Sequence, residues 1–232
     1  SMCGRFYLDV AAEEMIEYFG LSFAPHISPH YNIAPSQQIA AIKSKGNVRV
    51  LVRLHWGLIP SWAKDKKFAY RTINARAETI DSKPSFRTAF KHRRCLIPAS
   101  GYFEWKATNR GKQPYCITSD NGKPFAFAGL YEHWESSQGE KIDSCTIVVT
   151  QAKGGIATIH DRMPVILSPD NYDAWLDRES KDPLILKPLL LANGSDNTRL
   201  FPVSRSVNNP GNNSPDNVEP TKAKASSSLA DG

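Results

Sequence analysis

The 232-residue sequence contains no long hydrophobic run. No window approaches the roughly 18 apolar residues that a membrane-spanning helix needs, which argues against an integral membrane protein. The N-terminal residues also lack a basic stretch followed by an apolar one, the pattern of a secretory signal peptide. We therefore expect a cytoplasmic protein without a membrane partner.

Metal-binding patterns are equally scarce. The four cysteines form no C-x-x-C pair, which disfavours a zinc ribbon or a dithiol redox motif. His26 and His30 have helical spacing, but Pro29 between them disrupts a helix. We predict no metal site and no cofactor. No obvious strand surrounds Cys3, whereas the other cysteines lie in apolar runs and are predicted to be buried and reduced: Cys95, Cys116 and Cys145.

Internal repeats and a β-α-β-α rhythm are absent as well. Instead, many short strand patterns follow one another, several of them separated by turns, which predicts an antiparallel-rich α+β domain. Residues 208–232 are mostly small and polar, so we expect a disordered tail from residue 220 and place the domain at residues 3–219. The predicted strands span residues 38–43, 48–56, 94–99, 102–106, 113–118, 125–131, 144–150 and 200–204.

The charge is unevenly distributed along the chain. The net charge is +6, yet the segment from Lys43 to Lys112 holds 17 basic and 4 acidic residues, a net charge of +13. The rest of the chain has a net charge of −7. A basic block on an otherwise acidic protein indicates a surface that faces a polyanion, although a solvated face that maintains solubility has the same composition.

Cys3 offers an unusual chemistry at the start of the chain. Removal of Met2 by methionine aminopeptidase would leave Cys3 with a free α-amine, whose ordinary pKa of ~7.7–8.0 keeps part of it neutral near pH ~7. A neutral amine attacks an aldehyde, and the adjacent thiol can then close a thiazolidine ring. By position alone, Cys3 is more simply an ordinary residue near a start codon. Ser1 resembles a remnant of tag cleavage, so we predict that residues 1–2 are absent from the reactive protein.

Three further residues have side chains suited to proton transfer or sugar binding. Glu104 lies between two aromatic residues, and a partly desolvated carboxyl there could donate a proton near neutral pH. His160 can act as an acid or a base, and Asn74 can orient a sugar. Taken singly, each also fits a structural role: a surface carboxylate, a satisfied histidine and a turn-capping amide.

In combination, the short motifs resemble the SRAP (SOS-response-associated peptidase) family of abasic-site processing proteins. The family pattern has an MCGR start followed by YN-AP, WGL-P-W, NAR-E, GFYEW-like and H-RMP segments, and all six occur here in that order. The resemblance extends from residue 2 to residue 208. It implies a single SRAP domain with a barrel-like β core and short flanking helices. It also implies covalent attachment to abasic sites in single-stranded DNA during the DNA damage response. We expect a monomer, associated with the nucleoid if the source is bacterial.

The resemblance also assigns roles to residues of this chain. An exposed Cys3 would condense with the ring-opened deoxyribose aldehyde, and Asn74 would position the sugar and the Cys3 amine. Glu104 would assist ring opening, proton transfer and reversal of the crosslink, while His160 would handle protons on the sugar hydroxyl or the imine. The family positions that would hold flanking phosphates fall on Arg5, Arg76 and Arg162. The positions near the DNA groove fall on Asn32, Pro35, Trp62 and Tyr102.

Two other functions stay open at this point. The first is a thiol peptidase that uses Cys3, His160 and Asn74 and also removes Met2 autocatalytically. The second is a reader of modified DNA that forms no covalent product. Members of the family differ from one another after Trp62, where this chain has Ala63 and a charged run, so strand contacts there are not carried over.

Overall fold

The computed structural model describes residues 3–191 and 197–221. Its strands are β1 (Phe6–Leu8), β2 (His30–Ile33), β3 (Gln38–Lys45), β4 (Val48–Trp56), β5 (Asn74–Arg76), β6 (Arg94–Ala99), β7 (Gly101–Thr108), β8 (Gly111–Ser119), β9 (Phe125–Glu135), β10 (Lys141–Gln151), β11 (Arg162–Pro164), β12 (Ile166–Leu167) and β13 (Thr198–Pro202). The α-helices are α1 (Ala12–Phe19), α2 (Arg87–His92), α3 (Tyr172–Leu176) and α4 (Pro183–Leu191). Short 3-10 helices span Lys66–Arg71, Gly154–Thr158, Pro169–Asn171, Arg205–Asn208 and Pro215–Val218. Among the described residues, no helix is both long and apolar enough to cross a lipid bilayer.

Five strands close into a barrel. β3 pairs with β4 and β6, β6 pairs with β9, β9 pairs with β10, and β10 returns to β4. Four of these pairings are antiparallel, and the parallel contact of β4 with β10 is two residues long. All residues of β6 are buried, because one face lies inside the barrel and α2 and α3 pack against the strand. The predicted α+β class with an antiparallel-rich, barrel-like core is confirmed.

A second, antiparallel sheet packs against the barrel. Its strand order is β13-β8-β7-β1-β2. Phe6 of β1 contacts Trp56 and Phe127 of the barrel, with ring centroids 5.3 and 5.7 Å apart. Tyr102 of β7 contacts the same Phe127, at 5.9 Å. Edge-to-face aromatic contacts of this kind fix the second sheet in one position relative to the barrel.

Side-chain alternation along β7 divides the buried residues between two clusters. Tyr102 points into the large core that fills the barrel, while Phe103 points to the opposite side of the sheet. Glu104 follows Tyr102 by two positions and therefore shares the face of the strand that Tyr102 occupies. The smaller cluster on the opposite side contains Tyr7, Phe103, Cys116, Val203 and Val207.

Gly101 at the start of β7 permits the close approach of the neighbouring strands. A Cβ at this position would lie 2.5 Å from Cε1 of Tyr7 and 2.7 Å from the carbonyl oxygen of Ile117. Both distances are shorter than van der Waals contact, so a side chain here would force β1 or β8 away from β7. The glycine thus helps to place β1, and the residues just before it, next to Glu104.

The C-terminal segment is only partly described. Residues 208–221 are built into the domain rather than disordered, because Asn217 is fully buried and the Thr221 amide donates to the Pro202 carbonyl oxygen at 2.9 Å. The small, polar residues of this segment are typical of disorder, but its asparagine side chains hydrogen-bond to backbone groups. Residues 222–232, most of the predicted tail, and residues 1–2 lie outside the described residues.

Candidate active site

Four segments that are distant in sequence bring the predicted catalytic residues together. Cys3 lies just before β1, and Glu104 lies on β7, which pairs with β1. Asn74 begins β5 and His160 lies just before β11, and both of these strands pair with β10. The site therefore lies where the second sheet meets the barrel.

The side-chain amide of Asn74 fixes the backbone of Cys3. Its Nδ2 donates to the Cys3 carbonyl oxygen at 3.0 Å, and it also lies 3.1 Å from the Ile73 oxygen and 3.4 Å from the Ile147 oxygen. The amide oxygen Oδ1 is buried and has no hydrogen-bond partner among the described residues. It can therefore accept a hydrogen bond from an N–H or O–H group that enters the site.

Cys3 is fully buried, contrary to the expectation of an exposed residue. It packs into the barrel core, a long-range placement that the residues around it in the sequence do not signal. Burial raises the pKa of the Cys3 thiol well above its usual value, and the negative charge of Glu104 raises it further. The thiol is therefore neutral at rest, and a base must take its proton before the sulfur attacks.

Glu104 and His160 form an acid–base pair beside Cys3. Oε1 of Glu104 lies 4.0 Å from Nε2 of His160, and the two side chains are 3% and 15% exposed. Burial raises the pKa of Glu104 to about 7, although His160 acts in the opposite direction. At neutral pH the carboxyl is divided between its protonated and ionised forms, which suits it to give and to receive protons.

Buried polar atoms without partners mark this site as incomplete by itself. Besides Asn74 Oδ1, they include Oε2 of Glu104 and the hydroxyl of Tyr102, both unpaired among the described residues. Such atoms usually find partners in folded proteins, so these three remain available to hydrogen-bond polar groups that enter the site. No group of three or more potential ligand side chains that could hold a metal ion occurs in the described part of the chain.

A family model described as SOS response associated peptidase (SRAP) matches residues 2–210. The chain belongs to the SRAP family. This SRAP chain is 45% identical to the abasic site processing protein YoqW of Bacillus subtilis over 222 residues, which cover 94% of this chain and 99% of YoqW. It is 33% identical over 223 residues to the abasic site processing protein HMCES of Xenopus tropicalis, covering 81% of this chain and 65% of HMCES.

The fold of this SRAP domain is shared with solved structures. The X-ray structure of a protein from Bacteroides thetaiotaomicron is similar with a TM-score of 0.83 at 25% identity, over 94% of this chain and all of that chain. A phage-related protein from Bordetella bronchiseptica is similar with a TM-score of 0.71 at 31% identity, over 87% of this chain and 94% of that chain. The barrel with its second sheet is thus the SRAP architecture.

Asn32 and Arg5, predicted near DNA, bind parts of this SRAP domain instead. Asn32 is fully buried, and Arg5 Nη1 donates to its Oδ1 at 2.9 Å and to the Val207 oxygen at 2.6 Å. Arg5 also lies over the ring of Trp105, and burial lowers its pKa. The Asn32 Nδ2 lies 2.9–3.2 Å from three backbone oxygens of the C-terminal segment, those of Val207, Asn209 and Asn212. Asn32 therefore holds the C-terminal segment and Arg5 is committed to the same network, while the predicted DNA contact of Asn32 stays a prediction.

Replacing Asn32 by alanine should destabilise the domain rather than remove a DNA contact. One buried and two partly buried carbonyl contacts, together with Arg5, would lose a partner, which predicts a loss of about 2–4 kcal/mol in the free energy of unfolding. Urea denaturation measures this, with Asn47→Ala in an exposed turn as the matched control, expected to change stability by about 0.5 kcal/mol or less. Unchanged stability combined with weaker DNA binding would contradict this interpretation.

Tyr102 and Pro35, two further predicted groove positions, differ in their burial. Tyr102 is fully buried beneath the site and offers no face for base stacking. Strand alternation in the sequence could not reveal that Tyr102 is buried, because both faces of β7 are covered near Glu104. Pro35 is half-buried in the turn that leads into β3.

Arg162 lies at the edge of the site and is held by an acidic partner that the sequence reasoning did not select. Its Nη1 lies 2.8 and 2.9 Å from the two carboxylate oxygens of Glu78. The Lys187 ammonium contacts the Glu78 carbonyl oxygen at 3.2 Å. Glu78 belongs to the NAR-E motif and Asp161 lies within the H-RMP motif. Their places in these motifs were the available signal that both residues contribute to the site.

A basic cleft adjoins the site on the side of Asn74. This cleft, of about 280 Å³, is lined by Arg71, Arg76 and Lys83 together with Phe68, Thr72, Asn74, Thr79, Ser85 and Phe86. Arg76 is exposed there, as its predicted role requires. Trp62 is 55% exposed and contacts Phe68 edge-to-face at 5.3 Å. Cations thus line the cleft beside Asn74, and an exposed aromatic ring contacts its Phe68 wall.

The remaining charges of the basic block are scattered over the fold. Arg94 is buried and donates to backbone oxygens of α2 and α3, including those of Phe90 and Trp175. Arg49 pairs with Asp173, and Arg93 pairs with Glu132. The block is therefore continuous in sequence but not in space, and the basic cleft is the part of it that adjoins the site.

Proposed function

We propose that this chain processes abasic sites in single-stranded DNA by forming a covalent thiazolidine between Cys3 and the ring-opened sugar. The contact of Asn74 Nδ2 with the Cys3 carbonyl oxygen, at 3.0 Å, carries the proposal because it holds the reacting residue beside the acid–base pair. The printed names of the relatives YoqW and HMCES, abasic site processing proteins, support the same activity. The adduct would shield the damaged site.

The reaction requires a free α-amine on Cys3, so residues 1–2 must be removed first. The neutral amine adds to the C1′ aldehyde of the sugar, and the resulting hydroxyl leaves as water to give an iminium ion. The thiol sulfur then adds to the same carbon. One C–N and one C–S bond form, one water leaves, and no oxidant or reductant is needed.

Glu104 can serve both proton transfers of this sequence. With its pKa raised to about 7, the protonated carboxyl can give its proton to the departing hydroxyl. The carboxylate that remains can then take the proton of the Cys3 thiol, whose high pKa otherwise prevents attack by the sulfur. His160 faces this carboxyl at 4.0 Å and can hold the proton between the two steps.

The DNA strand is proposed to pass through the basic cleft beside Asn74. Arg71, Arg76 and Lys83 can contact phosphates, while the exposed Trp62 can stack on a base next to the abasic gap. A single strand suits such a cleft because the enzyme does not have to unpair and flip a nucleotide out of a duplex.

The electrostatics around Cys3 favour addition to an aldehyde over peptidase chemistry. A peptidase nucleophile is a thiolate whose pKa is lowered by a nearby cation. Here the first charged neighbour is the carboxylate of Glu104, and the pKa of the thiol is raised. For addition to an iminium ion, the thiol needs to lose its proton only after the electrophile has formed.

The proposal is tested with two forms of the protein and one abasic oligonucleotide. The form that begins at Cys3 should give a complex that survives heat and detergent on a denaturing gel. The form that retains residues 1–2 should bind the oligonucleotide, with a salt-dependent affinity, but should give no such complex. Salt-dependent binding by both forms without a stable complex would instead establish a non-covalent reader, and turnover of peptides would establish a peptidase.

A further inference from the structure

The imidazole of His160 lies between two carboxyl groups. Its Nε2 lies 4.0 Å from Oε1 of Glu104, and its Nδ1 lies 3.2 Å from Oδ1 of Asp161. The side chains of these residues are 3%, 15% and 89% exposed in the order Glu104, His160, Asp161. The three groups thus lead from the buried site to solvent.

The contacts of Nδ1 define how Asp161 affects the ring. The backbone N–H of Arg162 lies 3.1 Å from Nδ1 and the Arg162 carbonyl oxygen lies 3.3 Å from it, so Nδ1 can accept a hydrogen bond when unprotonated and donate one when protonated. A carboxylate 3.2 Å from an unprotonated Nδ1 is unfavourable, whereas a protonated Nδ1 can donate to it. The negative charge of Asp161 therefore favours retention of a proton by the Glu104–His160 pair.

Other charges near the ring do not cancel this effect. The guanidinium of Arg162 is paired with the carboxylate of Glu78, and the Cys3 thiol is neutral. Arg76 also acts on Glu78. The negative charge of Asp161 acts on Glu104 as well, where it opposes ionisation. Whichever member of the Glu104–His160 pair holds a proton, loss of the Asp161 charge makes that proton easier to lose.

We propose that Asp161 is a positioning residue that keeps one proton on the Glu104–His160 pair. The pair gives this proton to the departing hydroxyl and recovers a proton from the Cys3 thiol. This inference rests on the proposed thiazolidine chemistry for its functional meaning. The proton itself can be followed without any reaction, so the two ideas can fail separately.

The test compares Asp161→Asn and Asp161→Glu with the unaltered chain. The proton of the Glu104–His160 pair, followed against pH through the imidazole NMR signals, should be released about 0.3–0.7 pH unit lower in the Asp161→Asn variant, the range for an exposed charge pair. Asp161→Glu should restore the original titration. Asp143→Asn, which removes the carboxylate partner of His133 on the barrel surface, is the matched control and should leave the His160 signals unchanged.

Crosslinking kinetics supply the second readout, with each variant beginning at Cys3. Above the pKa of the pair, the Asp161→Asn variant should crosslink about two- to fivefold more slowly, because less of the pair is protonated; below that pKa the rates should converge. An unshifted His160 titration, or a rate loss independent of pH, would overturn the role of Asp161. A shifted titration in a protein that forms no adduct would instead overturn the proposed function and leave the proton placement standing.

Discussion

Replacing Cys3 by alanine should abolish the stable adduct with abasic single-stranded DNA. The variant retains an N-terminal α-amine once the preceding residues are removed, so an imine can still form. Without a thiol the imine cannot close into a five-membered ring, and it hydrolyses or undergoes strand cleavage by β-elimination. The expected result is no heat-stable complex on a denaturing gel, with some cleaved oligonucleotide and with reversible binding retained.

Cys116→Ala is the matched control for this experiment. Cys116 is also fully buried, but it belongs to the smaller cluster on the opposite side of the second sheet. This variant should lose stability through the cavity it leaves and should still form the adduct. A heat-stable adduct of the Cys3→Ala variant, in amounts equal to those of the unaltered protein, would contradict the assignment of Cys3.

Replacing Glu104 by glutamine should slow crosslink formation by about 10²–10⁴-fold, the usual contribution of a positioned acid or base. Glutamine preserves the shape of the side chain but can neither protonate the departing hydroxyl nor accept the thiol proton. Reversal of the adduct should slow as well, because it uses the same transfers in the opposite order. Rates from quenched gel assays at one pH measure both effects.

The pH dependence of crosslinking identifies which form of Glu104 acts. The rate requires a neutral amine, with an ordinary pKa of ~7.7–8.0, and a protonated Glu104, whose pKa is raised to about 7. It should therefore rise with pH up to about 7, level off up to ~8, and fall above that as the protonated carboxyl becomes scarce. In the Glu104→Gln variant the fall above pH ~8 should disappear, since only the amine still titrates.

Glu132→Gln is the control for the buried carboxylate. Glu132 is buried and pairs with Arg93, away from Cys3 in the fold, so its replacement should leave the fall at high pH intact. A Glu104→Gln variant with unchanged rates and an unchanged pH profile would show that Glu104 is structural.

Local patterns in the sequence predicted much of the fold. The bounds of β4 and β6 agree with the expected residues 48–56 and 94–99, because their apolar runs end at turns that interrupt any strand. β9 and β10 are longer than predicted, since each continues into polar residues that pair with the neighbouring strand. Closure of the barrel depends on contacts between distant strands, which local alternation does not encode.

The sequence predicted which residues form the site, but not their burial or their hydrogen-bond and ion-pair partners. The motifs selected Cys3, Asn74, Glu104 and His160, and the fold brings these residues together. Burial of Cys3, and the use of Asn32 to hold the C-terminal segment, depend on long-range packing that no local pattern records. The partners of the chosen side chains, such as Glu78 for Arg162, were likewise hidden until the strands were placed beside each other.

The most direct test of the thiazolidine is the intact mass of the adduct after alkylation in denaturant. Protein that begins at Cys3 should gain the mass of the abasic oligonucleotide minus one water. Of the 4 cysteines, three should then react with iodoacetamide, because the Cys3 sulfur is bonded to the sugar carbon. Reaction of all four in the adduct, or the absence of any mass gain, would contradict the account.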